Sequence, residues 1–120
     1  MYPPPQIIES EVFARVPDTL RRAAPSWMSR HHGRAVDCFL EGPGFDRAGN
    51  LYVTDLAHGR IFRISPAGDF SVAAEYDGRP NGLRIRGDGA IFVTDRKNGI
   101  VRLHPDNGRI ETILPELPTG

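Results

Sequence analysis

Gly49-Asn50-Leu51-Tyr52-Val53-Thr54-Asp55 returns 40 residues later as Gly89-Ala90-Ile91-Phe92-Val93-Thr94-Asp95. Both stretches open on a turn residue, run through β-branched and aromatic side chains, and end on an aspartate, which is how a short strand bounded by turns reads. The echo extends outward on both sides. Gly42, Gly59 and Gly68 of residues 41–80 face Gly82, Gly99 and Gly108 of residues 81–120 at the same spacing. The phase slips by one residue between Pro66 and Pro105 and recovers at the next glycine, inside a turn. A period of this length marks a stacked repeat rather than a single motif.

Each copy reads as four short strands. In the first, Pro43 to Asp46, Asn50 to Thr54, Arg60 to Ile64 and Phe70 to Tyr76 are separated by Arg47-Ala48-Gly49, His58-Gly59 and Pro66-Ala67-Gly68. These separators are turn formers by backbone chemistry. The second copy gives Gly82 to Arg86, Ala90 to Thr94, Ile100 to Leu103 and Arg109 to Leu114. Four strands per 40-residue unit is the pattern of a β-propeller blade, so the expected fold is all-β: blade 1 over 41–80 and blade 2 over 81–120. A blade buries both faces against neighbours, so two alone are expected to be a truncated part of a ring whose remaining blades are absent. A third copy would start after Gly120. The alternative is a small β-domain of two stacked sheets that associates with copies of itself to close a ring.

Residues 1–40 stand outside the repeat and form an irregular leader. Val12 to Val16 and Ala35 to Phe39 are expected as strands, with Asp18 capping a short helix through Arg22 that Pro25 ends. Such a leader is expected to lend a strand to the last blade and close the ring. Unpaired blade edges would otherwise invite self-association.

Composition narrows the function. Fifteen basic residues balance fifteen acidic ones with no run of one sign, which argues against nucleic acid or an anionic membrane surface as partner. The first residues carry no signal-peptide pattern and the single cysteine, Cys38, has no internal partner, so a cytoplasmic location is expected. No apolar run approaches the roughly 18 residues needed to cross a bilayer. Neither a Gly-x-Ser-x-Gly elbow nor a phosphate loop occurs, which sets aside serine-hydrolase and nucleotide chemistry.

Repeat registration singles out Glu41 and Asn81. They are 40 residues apart, each precedes the glycine of its unit, and equivalent positions of successive blades converge on the mouth of a central channel. A carboxylate and an amide carbonyl are hard oxygen donors, suited to calcium, magnesium or manganese, and to zinc when water completes the shell. The competing reading makes both simple turn acceptors at a strand entrance. Asp55 and Asp95 read as turn acceptors, His31 and His32 as a solvated loop, and His58 and His104 as surface residues. Cys38 reads as a small buried hydrophobe in a strand.

Leu40-Glu41-Gly42-Pro43, the stretch Gly49 to Asp55 with Gly59 to Ile64, and Tyr76-Asp77-Gly78-Arg79-Pro80-Asn81-Gly82-Leu83 taken in order resemble the amino-terminal portion of the gluconolactonase/regucalcin (senescence marker protein) family, over residues 36–114. That resemblance implies a six-bladed propeller with one central divalent cation, calcium foremost, that hydrolyses sugar lactones, a small-molecule substrate. It implies Glu41 as a metal ligand, from the Glu-Gly-Pro motif, and Asn81 as a channel-facing residue beside the substrate. Arg79 stands in an Arg-x-Asn spacing that in the family belongs to a later blade, and no role is carried over to it. The general base, an aspartate in the family, has no counterpart here; no catalytic residue is expected within this chain, and the isolated chain is expected to be inactive. A non-catalytic propeller scaffold of the NHL-repeat type is the alternative, and it has no use for a carboxylate at Glu41.

Overall fold

The computed structural model describes residues 1–115. The last positions of the second repeat, 116–120, lie outside the described residues. Eight strands follow a mostly irregular leader: β1 (Leu40–Phe45), β2 (Leu51–Asp55), β3 (Arg60–Ile64), β4 (Phe70–Glu75), β5 (Pro80–Ile85), β6 (Ile91–Asp95), β7 (Gly99–His104) and β8 (Arg109–Leu114). They form two four-stranded antiparallel sheets, ordered β1-β2-β3-β4 and β5-β6-β7-β8. The chain is therefore all-β with almost no helix, an arrangement consistent with propeller blades.

The repeat persists into the irregularities of the sheets. Register shifts between Glu41 and Gly44 against β2, and between Pro80 and Leu83 against β6, overlap to within one residue of the 40-residue period. A second matched pair falls at Ile61/Phe62 and Ile100/Val101. Bulges bend a strand and re-aim its side chains, and the first pair lies where Glu41 and Asn81 stand. Local chemistry sets the hairpins. In the first, Asp46 Oδ1 accepts from Asn50 N–H at 2.9 Å and Oδ2 from the Asn50 amide at 2.9 Å.

Strand alternation decides which side chains meet. Tyr52, Ile61 and Ala74 of the first sheet pack against Leu83, Ile91, Val93, Val101 and Leu103 of the second, forming the main core. The opposite face of the first sheet, Val53, Phe62 and Ile64, is covered by Ala14 and Leu20 of the leader. At about 25 cal/mol per Å² of apolar surface removed from water, these two layers supply the main stabilisation of the fold. The outward face of the second sheet is different. Phe92 and Ile100 are only partly buried and Thr94 is exposed, although their counterparts Tyr52, Thr54 and Ile61 are buried.

The leader departs from its sequence reading. Neither Val12–Val16 nor Ala35–Phe39 is a strand; the segment lies against the first sheet as irregular chain, with Val16 buried. Arg60 and Arg22 draw it there through hydrogen bonds to Leu20 O and to the Glu75 carboxylate. The helical turn at Asp18 is a 3₁₀ turn that stops at Leu20, and its cap position is Pro17 rather than Asp18. A helix absent from the sequence reading, α1 (Trp27–His32), follows. Ser26 N–H donates to Ser29 Oγ at 3.1 Å at its start, and Gly33 in the left-handed region ends it, donating to Ser29 O at 3.0 Å. Among the described residues no helix is long and apolar enough to cross a membrane.

Candidate functional site at the junction of the innermost strands

The first strands of the two sheets approach each other closely. A Cβ on Gly42 would stand 2.5 Å from Asn81 O and 2.8 Å from Leu83 N, so the backbones touch there and only glycine, at φ +58°, fits. Thr54 holds the junction. Its hydroxyl, fully buried, lies 2.7 Å from Asn81 O and 3.1 Å from Glu41 O. One O–H serves two carbonyls, so the main chains of Glu41 and Asn81 are neighbours fixed by a single side chain. Among the described residues Thr94, the equivalent residue of the second sheet, bonds only within its own sheet, with Gly82 N–H donating to its hydroxyl at 2.9 Å.

The side chains of the two candidates line adjoining clefts. Glu41 borders a cleft of about 380 Å³ with Trp27, His31, His32 and Arg96, and Asn81 a smaller one of about 160 Å³ with Thr94, Asp95 and Arg96. Arg96 is common to both. The Glu41 Oε2 atom is buried without a hydrogen-bond partner among the described residues. An orphaned buried carboxylate oxygen costs free energy, about 1–3 kcal/mol or more for a charged group, unless something supplies a positive or donating neighbour. That orphan and the hard-oxygen character of Glu41 and Asn81 suit a divalent cation. Among the described residues no cluster of three or more His, Cys, Asp or Glu side chains gathers, so the pair is at most a partial ligand set.

Asp55 and Asp95 act as structural acceptors. Asp55 Oδ1 takes the backbone N–H groups of Phe39 and Ala57, and Oδ2 takes Arg60 Nε at 2.8 Å. Arg60 Nη2 lies 2.8 Å from the same oxygen but off the hydrogen-bonding axis, so that contact is coulombic. Asp95 has no such arginine, because its cross-strand partner is Gly99. It accepts instead from the Tyr76 hydroxyl at 2.7 Å and from the backbone N–H groups of Arg79, Lys97 and Asn98. Burial works to raise the Asp95 pKa, and these donors outweigh it, holding the carboxyl below the usual range. Burial and the bond to Asp95 push the Tyr76 phenol far above its ordinary value.

Several sequence readings need correction. His31 and His32 sit in the last turn of α1, not in a loop, and both border the Glu41 cleft. Cys38 is only partly buried and lies in irregular chain, where burial raises its pKa. His58 and His104 are half-buried rather than free at the surface: His58 Nε2 meets Val36 O at 2.9 Å and His104 Nε2 meets the Glu111 carboxylate at 2.8 Å. Sequence reasoning also passed over Trp27, Thr54 and Arg96. Thr54 repeats as Thr94, which was the available signal, whereas nothing local distinguishes Trp27 or Arg96.

No protein-family model matches the chain. It is similar to lactonase drp35 of Staphylococcus aureus, with 31% identity over 87 residues, a match taking in 67% of this chain and 27% of that protein. The chain thus spans about a quarter of the length of the curated relative it matches, and the relationship to a lactonase is a distant one.

Proposed function

We propose that these residues are the amino-terminal sheets of a propeller that hydrolyses a lactone with the aid of a divalent cation, an activity belonging to the longer protein. The buried, unpartnered Oε2 of Glu41 carries this reading, because a carboxylate oxygen with no donor is a ligand position in need of a cation. The distant similarity to a lactonase supports the reaction class. The half-open face of Phe92, Thr94 and Ile100 repeats the face of the first sheet that the second covers, which supports a further sheet packing there.

In this scheme Glu41 holds the cation and Asn81 presents its amide to the substrate beside it. Bound there, a divalent cation supplies Lewis-acid polarisation of the ring-ester carbonyl and stabilises charge on its oxygen. Thr54 fixes the spacing of the two strands, so the donors do not reorganise during reaction. Trp27, Met28, His31 and His32 of α1 wall the cleft on the leader side.

The test is hydrolysis of D-glucono-1,5-lactone by the full-length protein, followed by acid release, for the wild type and Glu41→Gln. Chelator should abolish the rate, added calcium should restore it, and the variant should stay slow at every calcium concentration. Equal rates in both proteins, unchanged by chelator, remove the enzyme reading.

A further inference from the structure

Helix α1 brings the Trp27 ring to the Glu41 cleft, and two arginines stand against that ring: Arg79, just before β5, and Arg96, just after β6, which also lines the cleft. Trp27 is anchored through its indole N–H, which donates to Leu56 O at 3.0 Å, and the adjacent Met28 is buried with Leu56 and Ala57. Arg79 Cζ stands 4.4 Å and Arg96 Cζ 5.5 Å from the centre of the Trp27 ring. Arg96 N–H donates to Arg79 O at 3.0 Å, so the backbones bearing the two guanidinium groups are tied together. Cation–π attraction favours each contact singly, but two like charges against one indole repel each other.

Apart from Glu41, which lines the same cleft as Arg96, the neighbouring carboxylates are committed elsewhere. Asp95, next in the chain to Arg96, has its oxygens on the Tyr76 hydroxyl and three backbone N–H groups. Asp77 pairs with Lys97 at 2.6 Å, and Asp55 with Arg60. Among the described residues neither Arg79 nor Arg96 lies within ion-pair distance of a carboxylate. The result is a guanidinium, Arg96, without an ion-pair partner on a cleft of about 380 Å³ that it lines together with Glu41. A guanidinium is planar and weakly hydrated, and its paired donors match a carboxylate.

We infer that Arg96, positioned by Trp27, is a specificity-determining residue that selects ligands bearing a free carboxylate for the Glu41 cleft. In the cation-free chain Glu41 repels an anion at its own end of the cleft, which orients such a ligand with its carboxylate toward Arg96 and its neutral part toward Glu41. Taken with the lactonase reading, on which only this clause rests, the substrate class is the lactone of a sugar acid that keeps a second, unesterified carboxylate.

Trp27 is the single tryptophan of the chain, so its emission reports on this cleft alone. The 120-residue chain is titrated in chelator, at constant ionic strength, with D-glucuronate and separately with D-glucose. Glucuronate should change the emission saturably and glucose should not. Arg96→Gln should weaken the response about tenfold or more, as loss of a charge-assisted hydrogen bond does, with Arg96→Lys between the two. Arg96 is exposed, so both variants should keep the wild-type circular dichroism spectrum. Equal responses to the two sugars, or wild-type affinity in a folded Arg96→Gln, overturn the inference. Because neither cation nor turnover enters the measurement, failure of lactone hydrolysis and failure of carboxylate binding are separate results.

Discussion

Asp55→Asn tests the buried ion pair that joins the leader to the first sheet. Asp55 is 0% and Arg60 1% exposed, so water screens neither charge. The substitution keeps an acceptor for the N–H groups of Phe39 and Ala57 but leaves the Arg60 guanidinium buried against Phe62 and Leu20 O without an anion. Breaking a buried pair from one side costs about 3–5 kcal/mol, and the retained acceptor puts this case near about 3 kcal/mol. Against a typical stability of roughly 0.05–0.15 kcal/mol per residue, that is a large fraction of the total. A fall in Tm of roughly 10–20 °C should follow. Urea unfolding read by Trp27 emission and by far-ultraviolet circular dichroism measures the loss. Adding Arg60→Met removes the stranded cation, so the double variant should be more stable than Asp55→Asn alone by about 1–2 kcal/mol. A loss below about 1 kcal/mol for Asp55→Asn, the value of an exposed pair, or a double variant that simply sums its singles, would refute the reasoning.

Gly42→Ala should cost more than about 3 kcal/mol, since it adds a backbone clash at Asn81 O to a left-handed conformation. Gly89→Ala, at φ +88° with nothing within 4 Å of the added Cβ, should cost only about 1–2 kcal/mol, and the two unfolding curves compared side by side check it. Thr54→Val keeps the shape of the side chain and deprives the Glu41 and Asn81 carbonyls of their shared donor, for a loss of about 1–2 kcal/mol in the same assay. Asp95 has a folded pKa below its unfolded one, so its ionised form stabilises the fold above the unfolded value of about 4. That contribution disappears as pH falls through the lower, folded value. The stability gap between wild type and Asp95→Asn should therefore be widest near neutrality and shrink below about pH 4; a gap independent of pH from 7 to about 3 contradicts the assignment.

What the sequence determined is the local and periodic part. Strand identity followed from β-branched runs between turn formers, and each of the eight lies within a few residues of its expected place because hairpin pairing depends on neighbours in the chain. The 40-residue period also put Glu41 and Asn81 at equivalent positions in the sequence, and each stands at the bulge of its own first strand. Tertiary structure decided everything set by partners distant in sequence. Asp55 and Asp95 read identically, yet one took an arginine and the other a tyrosine, because their cross-strand neighbours are Arg60 and Gly99. The leader carries no period, so its course over the first sheet was fixed only by the apolar face and buried guanidinium waiting there, not by its own propensities. For the same reason Trp27 and Arg96, 69 positions apart, reach one cleft only once the chain is folded, since side-chain contact at that separation depends on the packing of sheets and not on any local pattern.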